Sequence, residues 1–120
     1  MKRLALLLLT VGVLSGCYND NIEELYPQET CDTTNVTYSG TIKPILEQSC
    51  NLPDCHNGPM PSGYDFTKYS GLKKTVDNGK LLESITRTGS ASFMPKDRPK
   101  LDDCTIAKFR IWIDAGAPEN

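Results

Sequence analysis

The chain has 120 residues, with 13 Lys and Arg against 15 Asp and Glu, a formal net charge of −2 and a single histidine. An acidic balance of this kind excludes the basic footprint of a nucleic-acid-binding protein. The length leaves room for one small domain, a size whose modest core usually needs help from a disulfide, a metal or a cofactor.

Residues 1–16 read as a signal peptide. Lys2 and Arg3 precede an apolar run from Leu4 to Leu14 that is broken only by Thr10 and Gly12. Such a run is too short to span a bilayer as a stable helix and suits a cleaved leader. It ends in Leu14-Ser15-Gly16-Cys17, which resembles the lipobox of bacterial lipoproteins. The resemblance implies that Cys17 becomes the lipid-bearing N-terminus. Tyr18, rather than Asp, after that cysteine implies outward sorting. The expected location is therefore exported and lipid-anchored, on the periplasmic side or the surface, at the outer membrane.

Residues 17–37 are polar and acidic without a sustained period and read as a tether. The domain is expected over 38–120. Its first helix is predicted over about Thr41 to Cys50, capped by Ser39 or Thr41, with Pro44 tolerated near the first turn. Ile42, Ile45 and Leu46 give it one apolar face. A loop with Gly58, Pro59, Pro61 and Gly63 follows. A second helix is predicted from about Thr67 to Val76, ended by Asn78-Gly79. A third runs from about Lys80 to Arg87, with Leu81, Leu82 and Ile85 apolar. The segment from Thr88 to Lys100 has two prolines and no period, and reads as a loop. The last helix is capped by Asp102 or Asp103, carries Ile106, Phe109, Trp112 and Ile113, and stops at Ala115-Gly116 before Pro118. No segment alternates like a strand. The fold class is all-α, small and loop-rich.

Export also decides the cysteine chemistry, because free thiols are unusual in an oxidising compartment. With Cys17 lipidated, Cys31, Cys50, Cys55 and Cys104 remain, and two disulfides among them could be connected in three ways. Cys50-Asn51-Leu52-Pro53-Asp54-Cys55-His56 holds two of these cysteines beside the only histidine. Covalent haem attachment needs two thiols for two vinyl groups and an imidazole that reaches the iron, most often as Cys-x-x-Cys-His. Here four residues separate the cysteines. On an ideal helix, residues five apart point about 140° away from each other, so the intervening residues must bulge, and Pro53 makes a bulge natural. Methionine is a standard sixth ligand opposite histidine. Met94, in a polar proline loop well downstream, is the candidate; Met60 is too near His56 to reach the opposite face. If haem takes Cys50 and Cys55, the pair left for a disulfide is Cys31–Cys104.

Other chemistries compete for the same residues. A structural zinc site could draw on Cys50, Cys55, His56 and either Cys31 or Cys104. A Cys50–Cys55 disulfide in a haem-free interaction lipoprotein would leave the histidine and Met94 without a role. Blue copper needs two histidines.

Taken together, Cys50-x4-Cys55-His56, the Phe93-Met94-Pro95 loop and the closing Ile111-Trp112-Ile113-Asp114-Ala115-Gly116-Ala117-Pro118 resemble the small c-type cytochrome domains of bacterial lipoproteins, as does Tyr38-Ser39-Gly40-Thr41-Ile42-Lys43-Pro44-Ile45-Leu46 ahead of the cysteines. The resemblance covers about Val36 to Pro118. It implies a cytochrome c-like fold around one haem c, covalent on Cys50 and Cys55, with His56 proximal and Met94 distal. The last helix would pack against the first near the haem edge. The function implied is one-electron transfer to an unidentified redox partner protein, with no catalytic residues. A histidine of this kind usually gives its other ring proton to a backbone carbonyl, expected in the Asn57–Met60 loop, at Pro59. Lys96, Arg98 and Lys100 would ring the haem edge and steer an acidic partner. The alternatives are a haem-containing accessory or peroxidase-like domain with an open sixth site, and the haem-free interaction lipoprotein.

Overall fold

The computed structural model describes residues 30–58 and 63–120. Residues 1–29, where the sequence suggests a signal peptide, a lipidation site at Cys17 and a tether, lie outside the described residues, as do Met60 and the Pro59 carbonyl. One compact unit runs from Cys31 to Asn120. It is built of helices and loops, with no strand among the described residues, and none of these helices is long and apolar enough to cross a membrane.

The first helix begins earlier than its sequence pattern indicates. A π-helical turn, Tyr38–Ile42, leads directly into helix α1, Lys43–Ser49. The cap is Thr37, whose hydroxyl accepts from the Gly40 N–H at 3.1 Å, rather than Ser39 or Thr41. Pro44 explains the widened turn. It has no N–H for the Gly40 carbonyl, and its ring would press on that carbonyl in a regular α-helix. The wide turn, closed by the Ile42 N–H on Thr37 O and the Lys43 N–H on Tyr38 O, accommodates it. Ile42 and Leu46 are fully buried, as their spacing requires.

Helix α2, Tyr69–Asp77, and helix α3, Lys80–Thr86, follow and pack on each other. The break between them falls at Asn78-Gly79, where Gly79 takes φ 75° at the α3 N-cap. Helix α4, Asp103–Asp114, packs on α3 and on the π-helical turn. Asp102 is its cap: one carboxylate oxygen accepts the Thr105 N–H at 2.8 Å and the other the Thr105 hydroxyl at 2.7 Å. These bonds, the hydroxyl first, hold the Asp102 carboxyl below its ordinary value.

The core is centred on Trp112 and Phe109 of α4, both fully buried together with Ile42, Leu46 and Leu72. Tyr38 stacks on Trp112 at 5.9 Å and meets Tyr69 edge-on at 5.1 Å. Two of the polar tips in this cluster find carbonyls. Trp112 Nε1 donates to Pro118 O at 2.9 Å and Tyr69 Oη to Ala117 O at 2.6 Å. The Ala117–Asn120 segment is thereby laid against the start of the first helix, where the Ser39 N–H donates to Asn120 O at 2.8 Å. Cys31 is joined to Cys104 in a disulfide that spans a sequence separation of 73. Residues 31–37, read from sequence as tether, therefore carry both a covalent tie to α4 and the cap of the first helix.

Candidate functional site

The Cys50–His56 stretch starts where α1 runs out. Cys50 is the C-cap residue of α1, and its N–H and that of Asn51 both donate to Leu46 O at 2.8 Å. Pro53 cannot continue a helix, and the chain turns instead. The Cys55 N–H closes that turn on Leu52 O at 3.0 Å, with Asp54 at φ 65°, a left-handed conformation that Asp tolerates better than most residues. The His56 N–H then returns to the Cys50 carbonyl at 3.1 Å. The four residues between the cysteines thus bulge out of a loop that closes on itself.

His56 is held from several directions. Its Nδ1 lies 2.9 Å from the Tyr64 carbonyl oxygen. A carbonyl can only accept, so Nδ1 carries a proton; in the neutral ring the lone pair then sits on Nε2. The Phe66 ring stacks on the imidazole with centroids 4.1 Å apart and planes within 13°. The Phe66 N–H donates to His56 O at 3.0 Å, and Asn51 Nδ2 donates to Phe66 O at 3.2 Å. Among the described residues the acceptor for the ring proton is a backbone carbonyl, that of Tyr64; the Pro59 carbonyl expected from the sequence lies outside the described residues. The chain passes through positive φ at Gly58 (103°) and Gly63 (71°), and this reversal returns residues 64–66 alongside His56.

The returning segment is anchored by Asp65. One of its carboxylate oxygens accepts from the Gly58 N–H at 3.3 Å, the Thr67 N–H at 3.0 Å and the Thr67 hydroxyl at 2.5 Å. The Thr67 hydroxyl is the main reason that this carboxyl sits below its ordinary value. Gly71 of α2 lets the backbone come this close: a Cβ there would lie 1.9 Å from Asp65 O. Tyr64 also reaches forward to the head of α3. Its hydroxyl accepts from Asn78 Nδ2 at 3.3 Å, and Lys80 Nζ stands 6.0 Å from its ring centre.

Cys50 and Cys55 are not bridged. Cys50 is half-buried, and burial, reinforced by the neighbouring Cys55, pushes its thiol up to about 11. Cys55 is exposed. The Cys31–Cys104 disulfide takes from a zinc site the third thiolate it would need, and no three His, Cys, Asp or Glu side chains converge on one point among the described residues.

Met94 is carried on a separate arm that leaves the end of α3. Its N–H donates to Ser84 O at 3.0 Å. Its side chain is half-buried, and Phe93 beside it is 54% exposed, the more exposed of the two large apolar side chains that face solvent among the described residues. Lys96, Arg98 and Lys100 follow on the surface, with Lys100 3.6 Å from Asp103. The structure gathers Cys50, Cys55 and His56 into one loop and places Met94 on another segment. Tyr64 at the head of α3 and Ser84 near its tail relate the two.

Tyr64, Phe66, Asn51 and Asp65 carry the site with no sequence signal, because stacking and carbonyl acceptance depend on which segments meet. A glycine inside the predicted second helix was the one available hint of a close backbone approach. No protein-family model, no curated protein and no solved structure matches the chain.

Proposed function

We propose that this protein is a lipid-anchored monohaem c-type cytochrome with a cytochrome c-like fold, and that it carries one electron at a time. The observation that carries the reading is the closed Cys50–His56 loop, with two unbridged thiols and a histidine whose Nδ1 proton is committed to the Tyr64 carbonyl. Imidazoles that bind metals are commonly held in this way. The donor set fits a haem: two thiols in one loop, an imidazole next to the second, and a thioether on another arm.

Cys50 and Cys55 would each hold the group through a thioether, the thiol adding across a vinyl group with sulfur on one carbon and hydrogen on the other. His56 Nε2 and the Met94 sulfur would hold the iron. When bound, the haem supplies an iron that gains and loses one electron. The chain's own residues set the conditions. The Tyr64 carbonyl fixes the imidazole tautomer and its orientation, leaving Nε2 as the nitrogen available to a metal. Phe66 stops the ring from turning. The leader and Cys17 would place the domain at the outer membrane, facing the periplasm or the surface, within reach of a redox partner protein.

The test is direct. The chain is produced with a cytochrome c maturation system, and a denaturing gel is stained for covalent haem. A chain that retains no haem ends the reading. Cys50→Ala and Cys55→Ala then count the thioethers, since loss of one leaves a vinyl group and a shifted spectrum. Met94→Ala is expected to abolish the sulfur–iron spectrum and open the iron to carbon monoxide. Ready carbon monoxide binding by the reduced unaltered protein would instead favour an accessory or peroxidase-like role with an open sixth site.

A further inference from the structure

The arm that carries Met94 is pinned on both sides by the last turn of α3. Before Met94, one Glu83 carboxylate oxygen accepts from the Ser90 N–H at 3.3 Å and the Ala91 N–H at 3.2 Å. Gly89 leaves room for this seat, because a Cβ there would lie 2.6 Å from the Glu83 carboxyl carbon. At Met94 itself, the backbone N–H is held by Ser84 O at 3.0 Å. After Met94, Arg87 Nη2 donates to Pro95 O at 3.3 Å and to Arg98 O. One guanidinium therefore grips two carbonyls of the segment just beyond the proposed sixth ligand.

Arg87 is held there against local preference. It is the C-cap residue of α3 in a left-handed conformation, φ 59° and ψ 44°, a place usually filled by glycine. Its Nε is buried without a partner among the described residues, and a buried donor left unmatched is uncommon and costly. Both bonds come from Nη2, which the planar guanidinium aims; a lysine would leave no unmatched Nε but would offer a compact charge on a flexible stem.

We propose that Arg87 is a positioning residue that fixes the reach of Met94, and so decides whether the iron keeps a protein ligand on its sixth side. The proposal rests on the haem reading above. Glu83 holds the approach to Met94 and Arg87 the exit, which makes residues 88–98 a braced arm rather than a free loop. Without the Arg87 grip, the backbone beyond Met94 has lost its two charge-assisted hydrogen bonds, and the thioether swings free of the metal while Cys50, Cys55 and His56 are untouched.

The experiment compares the unaltered protein with Arg87→Gln, Arg87→Lys and Met94→Ala, each produced with and without haem. In the haem-loaded proteins, the expected result for Arg87→Gln is full covalent haem on a denaturing gel, a weakened sulfur–iron absorption band and carbon monoxide binding that approaches that of Met94→Ala. Arg87→Lys should fall between. In the haem-free chains, amide hydrogen exchange over residues 88–98 should speed up by about tenfold in Arg87→Gln, the size expected when a charge-assisted hydrogen bond is lost, with α4 unchanged. The proposal is overturned if Arg87→Gln keeps the band and the carbon monoxide behaviour of the unaltered protein. It is equally overturned if Arg87→Lys matches the unaltered protein in every readout. If the unaltered chain takes up no haem, the cytochrome reading fails by itself. The exchange measurement then still judges the brace, which falls if residues 88–98 exchange no faster in Arg87→Gln.

Discussion

Gly71→Ala is the substitution that most directly couples packing to the candidate site. In an open helix the change would stabilise, since alanine is the better helix former by about 1 kcal/mol. At Gly71 the new Cβ would stand 1.9 Å from Asp65 O and 2.8 Å from Asp65 C. Contacts under 3.0 Å essentially never occur for real Cβ atoms, so helix α2 and the Asp65 backbone must separate by about 1 Å or more. Overpacking of this kind costs about 1–3 kcal/mol, and the upper part of that range applies to a backbone contact this short; set against the propensity gain of about 1 kcal/mol, the net loss is up to about 2 kcal/mol. For a domain of this size that is roughly 4–8 °C in Tm per kcal/mol. The displacement falls next to Tyr64, whose carbonyl holds His56 Nδ1 at 2.9 Å, and a shift of about 1 Å takes such a bond out of range. The assay is urea unfolding together with the His56 Nδ1–H resonance in the haem-free chain. Gly79→Ala is the control, since its Cβ meets nothing within 4 Å and only its φ of 75° is strained. It should destabilise while leaving the His56 resonance in place. A Gly71→Ala chain that is as stable as the parent, or that loses stability with the His56 proton unmoved, would refute the reasoning.

Three further expectations follow from the same geometry. In the reduced, haem-free protein, iodoacetamide should modify Cys55 long before Cys50, because a thiol near 11 is only about one part in a thousand thiolate at pH 8; peptide mapping that finds equal labelling counts against the burial of Cys50. Asp65 and Asp102 both have lowered values in the folded chain. Their stabilisation should be complete above the ordinary carboxylate value of about 4 and fade as the pH falls below it. Asp102→Asn, which can still cap α4, should leave stability at pH 7 nearly unchanged and flatten the acid loss, whereas Asp102→Ala should cost about 1 kcal/mol at neutral pH by denaturant titration. Replacing both Cys31 and Cys104 by serine removes a cross-link over a separation of 73 residues and should cost up to about 4 kcal/mol, and the parent's unfolding midpoint should fall in reducing buffer relative to oxidising buffer; a midpoint indifferent to reduction in the parent would contradict the link.

Much of the architecture was legible before any coordinates, because apolar spacing and stop residues act locally. Ile42 with Leu46, Leu81 with Ile85, and Ile106, Phe109 and Trp112 recur at helical spacing, and each set lies buried. Asn78-Gly79 and Ala115-Gly116 end their helices because the chain turns there without help from distant residues. The start of the first helix escapes the sequence pattern because a proline inside a helix is accommodated by a widened turn, on which Trp112 and the C-terminal segment also pack.

The candidate site divides along the same line. By itself, the sequence determined the chemistry on offer: two cysteines and the only histidine within seven residues, a proline to make them bulge, and a distant methionine. These are facts of residue type and order, which no fold can alter. Only the tertiary structure decided how that chemistry is held. It selected the Tyr64 carbonyl for the His56 proton, laid Phe66 on the imidazole, set Gly71 against Asp65, and braced the Met94 arm with Glu83 and Arg87. Each of these is an encounter between residues six to ten positions apart, brought together by the course of a loop rather than by a helical period. Carbonyl oxygens, ring faces and the absence of a Cβ acquire a role only when packing brings a partner to them.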